Sequence, residues 1–432
     1  MANSSFADVS LGDIADSRNG KAISPEKYTV GGKHPVFGSN GQIARSNEVL
    51  YPDPAIVIGR VGAYCGCVHY VSRSSWVTDN AIVALPKDGN DIRYLFYLLG
   101  SLELQRTAID SAQPLMTQGG LKVVRTKAPP LAEQKAIAAV LGALDDKIEL
   151  NRRMNATLEA MARALFQNWF VDFDPVRRNM DFTRSRGERG EEEKKFQPAS
   201  PPLRASASPR DPFDALFPEH FAHGENGLLP LGWRLASIEE ICAINAWTLG
   251  KNDDLETLEY VEISEVSRGN IANIATYPRG EEPSRARRRL RHGDTVLSTV
   301  RPDRGSYFLA LNPPENRVAS TGFAVLTPTK VPWSFLHATL TQPEVSDHLG
   351  QMADGGAYPA VRPEIIGAMQ IALPNEPKIL EAFHRTCAPL FEQAEANRTQ
   401  SRTLATLRDT LLPKLLSGEL SVTETTGGLS AR

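Results

Sequence analysis

The chain has 432 residues, of which 41% are hydrophobic and 23% are charged, a composition typical of a soluble protein with more than one core. No apolar run approaches the ~18 residues of a membrane span, and the N-terminus lacks a basic and then apolar leader. We therefore expect a cytoplasmic protein without membrane contacts. Four cysteines are too few for a disulfide framework.

Residues 1–130 have the pattern of one sheet domain. Short apolar runs alternate with turn signals and predict a mainly antiparallel sheet, with a helix around Ile92–Ala108. The predicted strands are Ala55–Ile58, Cys65–Val71 and Trp76–Ala84. Loops on a rigid sheet usually carry recognition, so 31–41 and 113–120 are the expected places for contacts.

Residues 131–175 predict one long amphipathic helix. It opens at Pro129-Pro130-Leu131, where proline suits the first turn, and Glu133 is favourable near the positive end. Its apolar residues recur in steps of four and three, or in multiples of seven, which is typical of a coiled-coil seam. The predicted seam is Ile137, Leu141, Leu144, Ile148, Leu158 and Leu165.

Residues 176–230 are rich in Arg, Glu, Ser and Pro, and predict a flexible linker. After it the first pattern returns. Residues 231–374 predict a second sheet domain, 375–418 a second long helix and 419–432 a tail. The residue offset between the copies grows from 227 near the start to 242 and then 246 in the helices. The second seam is Phe383, Cys387, Leu390, Ala394, Leu404 and Leu411.

The two helices share polar positions within their seams, at Asn151 and Asn155 in one copy and at Asn397 and Ser401 in the other. Such residues cost stability but fix register and partner. This favours helices that pack on each other over two independent surface helices. Antiparallel pairing would give a rod of roughly 55–60 Å with one sheet module at each end. The predicted fold class is α+β.

Motifs for catalysis are absent from the sequence. We find no Walker phosphate loop, dinucleotide-binding loop or zinc-protease helix. Asn312-Pro313-Pro314-Glu315 resembles an amino-methyltransferase motif, but Glu315 replaces the aromatic residue and a loop is the alternative. Cys65, Cys67 and His69 alternate along one strand, about 6.6 Å apart per step, too far apart to converge readily on one metal. We predict no catalytic residues and no metal site.

Net charge gives no strong indication of the ligand. Residues 1–130 contain 13 Lys and Arg residues and 11 Asp and Glu residues, and residues 231–374 contain 14 and 17, respectively. Phosphate contacts would therefore come from local clusters or a partner subunit. The densest cluster is Arg285, Arg287, Arg288, Arg289 and Arg291, with a solvated loop as its alternative interpretation.

Several runs resemble the specificity subunit of type I restriction-modification enzymes, and the resemblance covers nearly the whole chain apart from the linker. The runs are Pro129–Gln134, Asn168–Pro175, Leu229–Trp233, Leu407–Gly418, Ile58–Gly62 and Thr78–Asn80. The second helix departs from the pattern, with Asn375-Glu376-Pro377 where the first has Leu131–Gln134.

The resemblance implies two target recognition domains, separated by antiparallel helices, each reading half of an asymmetric, split site on double-stranded DNA. It implies partners that perform the chemistry: two methyltransferase subunits using S-adenosylmethionine, and translocating restriction subunits using ATP and Mg²⁺. This chain would hold no cofactor.

The candidate DNA-reading residues have side chains suited to direct readout. They are Lys33, Ser39, Asn40, Arg45, Arg60 and Gln118 in the first module, and Arg268, Arg287, Arg301, Arg304 and Tyr358 in the second. The main alternative is a non-DNA coiled-coil scaffold that presents two protein-binding domains. An enzyme is the third choice.

Overall fold

The computed structural model describes residues 6–109, 114–193, 212–224, 227–250 and 253–422. The chain divides into two compact units, one of residues 1–150 with 401–432 and the other of residues 151–400. Each unit contains one sheet module and one part of each long helix. In the described residues no helix combines the length and hydropathy needed to cross a membrane.

The first module has its core in a four-stranded antiparallel sheet, ordered Ala15–Asn19, Ala81–Pro86, Ala55–Gly59 and Val68–Val71. A smaller sheet has the order Gly41–Ser46, His34–Gly38 and Trp76–Val77, the last pair being parallel. Strand Ala7–Ser10 pairs with Arg125–Ala128. The helices of this module are Leu11–Ile14, Ile92–Ser101 and Gln118–Lys122.

The predicted strand Trp76–Ala84 is in fact two strands. Trp76–Val77 joins the smaller sheet, whereas Ala81–Pro86 joins the larger one. The chain turns between them because Gly20 packs there: a Cβ atom on Gly20 would lie 2.2 Å from the Thr78 carbonyl oxygen. The polar residues Thr78, Asp79 and Asn80 lie at this turn, and the prediction of a single strand ran through them. The predicted helix around Ile92–Ala108 also ends earlier, at Ser101, before a 3₁₀ turn at Leu104–Thr107.

The second module repeats this topology. Its main sheet has the order Cys242–Ile244, Phe323–Pro328, Asp294–Ser298 and Tyr307–Ala310. A second sheet has the order Ala275–Pro278, Thr257–Val261, Arg317–Ser320 and Ala286–Arg289, again with one parallel pair, between Thr257–Val261 and Arg317–Ser320. Further strand pairs are Trp233–Ser237 with Gln370–Pro374, Val266–Ser267 with Asn270–Ile271, and Phe221–Gly224 with Gly227–Pro230. The helices are Ile238–Ile241, Trp333–Leu340, Pro343–Gln351 and Pro363–Ala368. The prediction of two similar sheet-containing modules in an α+β chain is confirmed.

The first long helix is Leu131–Phe166, and the second is Pro377–Ser417. In the first unit the Arg408 Nη1 donates to the Asp145 carboxylate at 2.6 Å. In the second unit the Asn155 Nδ2 donates to the Ala394 carbonyl at 3.0 Å, and Phe166 lies 6.0 Å from Phe383. In the second unit residue numbers rise on one helix as they fall on the other, so its two helix segments are antiparallel.

Burial along the seam is uneven. Ile137, Leu141, Phe383 and Cys387 are fully buried, while the other predicted seam leucines and Ile148 are half-buried. Ala394, also a predicted seam residue, is fully buried. The first unit adds Leu415 and Leu416 to this core, and the second adds Phe166, all of them likewise buried.

The motif Pro129–Gln134 joins the first module to its helix. Gln134 is buried, donates to the Pro129 carbonyl at 2.9 Å and accepts from the Asp91 backbone N–H at 3.0 Å. The Asp91 side chain in turn caps helix Ile92–Ser101 by accepting from the backbone N–H groups of Arg93 and Tyr94. One glutamine therefore fixes the start of two helices.

The motif Asn168–Pro175 ends the first long helix in an aromatic cluster. A π-helical turn at Gln167–Val171 places the ring of Trp169 among other aromatic rings, with its centre 5.1 Å from the ring centres of both Phe213 and Phe217. The ring centres of Phe170 and Phe335 lie 4.9 Å apart. The backbone of Phe173 is left-handed, with φ of 54°, and a new helix follows at Asp174–Glu193.

Much of the predicted linker 176–230 differs from the flexible segment that its composition indicates. Helix Asp174–Glu193 occupies its first part, and the described residues from 212 fold back onto that helix. The Arg178 guanidinium lies 2.5 Å from the buried Asp214 carboxylate, and the Asn179 Nδ2 donates to the Asp214 and Phe217 carbonyl groups. Polar composition hid this because few buried residues are involved. Residues 194–211 of the predicted linker, and 423–432 of the predicted tail, lie outside the described residues.

Candidate nucleic-acid interface

Each module carries a nine-residue loop after a central strand of its main sheet, formed by residues 59–67 in the first and 298–306 in the second. The N–H of Arg60 donates to the Asn80 carbonyl at 3.0 Å, and the N–H of Thr299 donates to the Gly322 carbonyl at 2.9 Å. The Arg60 and Thr299 carbonyl groups accept from the N–H groups of Met116 and Val361 at 2.8 and 2.9 Å. The two loops thus share one backbone frame.

The frame extends to the next residues. The N–H of Gly62 donates to the Pro114 carbonyl at 3.0 Å, as the N–H of Arg301 does to the Pro359 carbonyl at 2.8 Å. Position 62 therefore corresponds to position 301, at a constant offset of 239. Both positions have a left-handed backbone, with φ of 70° and 47°. The frame brings the loop after the strand together with the segments around 114–116 and 359–361.

Four candidate readers of the first module lie near loop 59–67. The Ser39 Oγ donates to the Asn80 carbonyl, and the Arg60 Nη1 donates to the Asp79 carbonyl at 3.1 Å. Asn40 is exposed at the tip of the hairpin 34–46. With its amide oriented to satisfy both partners, Gln118 donates to the Ser17 carbonyl at 3.1 Å and accepts from the Asn19 N–H at 3.0 Å.

The other two candidates of this module, Lys33 and Arg45, lie at the opposite end of that hairpin. Arg45 is bound to backbone: its Nε donates to the Gly32 carbonyl at 2.5 Å and its Nη2 to the Lys33 carbonyl at 2.9 Å. This guanidinium closes the hairpin base. Lys33 is exposed. The structure does not group these two residues with Ser39, Asn40, Arg60 and Gln118.

In the second module Arg301 and Tyr358 form a stacked pair at loop 298–306. The guanidinium carbon of Arg301 lies 4.6 Å from the centre of the Tyr358 ring, a cation–π geometry. The Arg301 Nη2 donates to the Ala357 carbonyl at 2.7 Å. Tyr358 is 73% exposed, so the pair presents a planar aromatic surface with a fixed positive charge beneath it.

Arg304 and Arg268 lie beside this pair. Arg304 is exposed at the end of the 3₁₀ turn Pro302–Arg304. Arg268 and Gly269 both have positive φ and form the two-residue turn of a hairpin. The Arg268 N–H donates to the Gly305 carbonyl at 3.0 Å, which ties this hairpin to loop 298–306.

The remaining candidate, Arg287, belongs to the arginine cluster on the edge strand Ala286–Arg289. Its Nε donates to the Ser284 carbonyl at 3.2 Å. Its neighbours are engaged within the module: Arg289 lies 3.3 Å from the Asp253 carboxylate, and the Arg291 guanidinium lies 3.1 Å from the centre of the Trp247 ring. Burial lowers the pKa of Arg288. The cluster is thus neither a simple solvated loop nor a free basic patch.

The motifs examined for chemistry have structural positions. The carbonyl of Pro314 accepts from the Arg317 N–H at 3.0 Å, so Asn312–Glu315 is a turn. The Cys65 Sγ donates to the Arg60 carbonyl at 3.4 Å, and burial lowers the pKa of His69. Across the described ranges no group of three His, Cys, Asp or Glu side chains has the arrangement of a metal site.

Two groups were missed by sequence reasoning. Asn80 contributes its carbonyl to the frame, and Tyr64 is 47% exposed on loop 59–67. The offset of 242 in the strands already aligned Asn80 with Gly322. The offset of 239 that relates the loops appears only with the hydrogen bonds, because low sequence similarity hides it.

This duplicated fold, with equivalent surface loops that carry Arg60 and Tyr64 in one module and Arg301 and Arg304 in the other, defines a two-module recognition protein. Residues 3–160 match the family model described as the type I restriction modification DNA specificity domain. The chain is similar to curated proteins named as specificity subunits of type I restriction enzymes. The relatives support this reading and not the coiled-coil scaffold.

Two curated relatives are similar over most of their length. The MjaIX specificity subunit of Methanocaldococcus jannaschii is 26% identical, over 79% of this chain and 72% of the relative. The HindI specificity subunit of Haemophilus influenzae is 24% identical, over 80% of this chain and 79% of the relative. A solved S subunit from M. genitalium shares the fold, with a TM-score of 0.56 and 15% identity over 95% of this chain and 96% of that one.

Proposed function

We propose that this chain reads an asymmetric, bipartite site on double-stranded DNA, with each module reading one half. The observation that carries the proposal is the shared frame of loops 59–67 and 298–306. Backbone hydrogen bonds hold the frame, so side chains can differ without moving it. Arg60 and Gly62 in the first loop correspond to Thr299 and Arg301 in the second. Two related frames with different side chains suit two different half-sites.

The chemistry of the second loop suits DNA. A guanidinium such as that of Arg304 can bind guanine through two hydrogen bonds in the major groove, or a phosphate. Arg301 is held by Ala357 and Tyr358, so little side-chain entropy remains to be lost when it binds. Arg268, on the adjoining hairpin, supplies a third positive charge.

The chain would supply the recognition of the DNA sequence, and other subunits would supply the catalytic activities. We propose as partners two methyltransferase subunits that use S-adenosylmethionine, and restriction subunits that translocate DNA with ATP and Mg²⁺. The complex would act in the cytoplasm. The two long helices would fix the gap between half-sites, since a helix of 36 residues is about 54 Å long at ~1.5 Å per residue.

The test is the methylated motif. The chain is expressed with its methyltransferase subunit in a host that lacks such systems, and methylated adenines are mapped across the genome. Replacing residues 1–128 with the matching domain of a relative should change one half of the motif and leave the other half and the gap intact. A change in both halves together would contradict separate reading.

Point variants test the second module. Arg301→Ala and Tyr358→Ala should each weaken binding of the methylated motif by about 1–3 kcal/mol, whereas Arg385→Ala should have little effect. Arg385 is an exposed arginine on the second long helix of the same unit, so it matches the lost charge. Equal losses for Arg301→Ala and Arg385→Ala would indicate general electrostatics rather than a reading loop.

A further inference from the structure

Loop 59–67 has the frame of the second module's reading loop but few side chains that could read DNA. Its sequence is Gly-Arg-Val-Gly-Ala-Tyr-Cys-Gly-Cys. Arg60 and Tyr64 alone have side chains long enough to reach a base edge and polar enough to bond to it. The Arg60 guanidinium is half-buried and donates to the Asp79 carbonyl. Tyr64 is the exposed member of the pair.

Tyr64 lies in the same turn as the charged residues of the second loop. At the offset of 239, Tyr64 corresponds to Asp303 and its neighbour Cys65 to Arg304. The N–H of Cys65 donates to the Gly62 carbonyl at 2.9 Å, as the N–H of Arg304 donates to the Arg301 carbonyl at 3.1 Å. The turn that carries Arg304 in one module therefore carries Tyr64 in the other.

The position of this turn is fixed by Gly59. A Cβ atom on Gly59 would lie 2.1 Å from the Tyr64 carbonyl oxygen and 2.6 Å from the Ser39 carbonyl oxygen. The missing side chain lets the Tyr64 turn and the Ser39–Asn40 hairpin tip pack against the same strand end. Tyr64 is thus held beside Ser39 and Asn40, two of the predicted readers.

We propose that Tyr64 is a specificity-determining residue of the first module, contacting a base edge in the major groove of the half-site that this module reads. The ring can pack on a thymine methyl group and the hydroxyl can bond to a base or phosphate. The inference rests on the proposed function. It differs from the candidates drawn from the sequence, which gave loop 59–67 a single reader, Arg60.

The test uses the full chain with its methyltransferase subunit and the same genome-wide mapping of methylated adenines. Tyr64→Ala should lower methylation of the wild-type motif roughly ten-fold and relax the preference at a base in one half, because one lost base contact has that size. Tyr64→Phe should retain the preference if the ring reads the base. The control is Tyr28→Ala, which removes a tyrosine of the same module that is 39% exposed.

Thermal unfolding of each variant checks that the module stays folded, and an exposed side chain should leave the midpoint near that of the wild type. If Tyr64→Ala leaves both the sequence of the methylated motif and the level of methylation unchanged, this inference is overturned while the proposed function stands. An equal loss with Tyr28→Ala would also overturn it. If the wild-type chain directs methylation to no split motif, the proposed function fails and this inference fails with it.

Discussion

The two modules share a backbone frame and differ in what that frame presents. Loop 59–67 presents Arg60 and Tyr64, whereas loop 298–306 presents Arg301 and Arg304, the former stacked on Tyr358. The bonds that define both loops join N–H and carbonyl groups, so they do not depend on side-chain identity. A duplicated domain can therefore change its recognition chemistry while its loop geometry is conserved.

The cores differ as well. The second unit packs its helices through aromatic rings, with Phe383 lying between 5.2 and 6.4 Å from Phe166, Trp169, Phe170 and Phe335. The first unit packs the corresponding region with aliphatic residues, among them Ile137, Leu141, Leu415 and Leu416. A central strand of the main sheet begins with buried Asp294 in the second module, where the first has Ala55. Each difference gives a way to perturb one unit without the other.

The largest effect is expected from the aromatic cluster. Phe383→Ala should destabilise the second unit by about 3–5 kcal/mol, because it removes a fully buried ring and leaves a cavity. Hydrogen exchange of the backbone amides in strand Asp294–Ser298 reports on this unit. Amides in Ala55–Gly59 should keep their protection. Equal loss of protection in both strands would show that the two units unfold as one.

A smaller effect is expected from the polar centre of the seam in the second unit. The Asn397 Nδ2 donates to the Asn155 Oδ1 at 2.8 Å, and both residues are buried. Asn397→Ala should cost about 1–3 kcal/mol in denaturant unfolding, since the buried Asn155 oxygen loses this donor. The double variant Asn155→Leu with Asn397→Leu should recover most of that loss. A double variant less stable than Asn397→Ala would contradict this account.

The smallest effect concerns pH. Burial raises the pKa of Asp294 to about 6, although Thr327 and the Arg291 N–H donate to its carboxylate. The folded pKa lies above the ordinary value of 3.8, so the folded protein binds the proton more tightly. Stability from this group is therefore lost as the pH rises from about 4 to 6.

Between pH 5 and 7.5 this contribution should change by roughly 1 kcal/mol. The change should be absent in Asp294→Asn, which cannot titrate. The measurement is the free energy of unfolding of both proteins at the two pH values. Acidic groups whose pKa is lowered, such as Glu240 beside Arg234, contribute stability that is lost as the pH falls. Both proteins contain these groups, so their contribution cancels in the difference between the two pH profiles. Parallel pH profiles for the two proteins would show that Asp294 is not the group responsible.

The sequence by itself determined the duplication, the two long helices and the resemblance to a family. Spacing of apolar residues reports which side a helix buries, and the two copies could be aligned wherever strands and helices constrain residue type. Thus Asn80 aligned with Gly322, and the structure pairs the corresponding strands Ala81–Pro86 and Phe323–Pro328 with equivalent neighbours. Gln134 and Trp169 could be recognised in the sequence as members of motifs, but the sequence did not show which residues they contact.

Tertiary structure decided what local pattern does not encode. Arg45 and Arg301 looked alike in sequence, yet one closes a hairpin through backbone carbonyl groups and the other stacks on an exposed tyrosine. The equivalence of loops 59–67 and 298–306 rests on backbone hydrogen bonds, which place little constraint on residue type. Helix Asp174–Glu193 and residues from 212 were predicted to be linker because contacts such as those of Arg178 and Asn179 with Asp214 form between residues some 35 apart. Such contacts depend on where the chain returns, which only the folded molecule specifies.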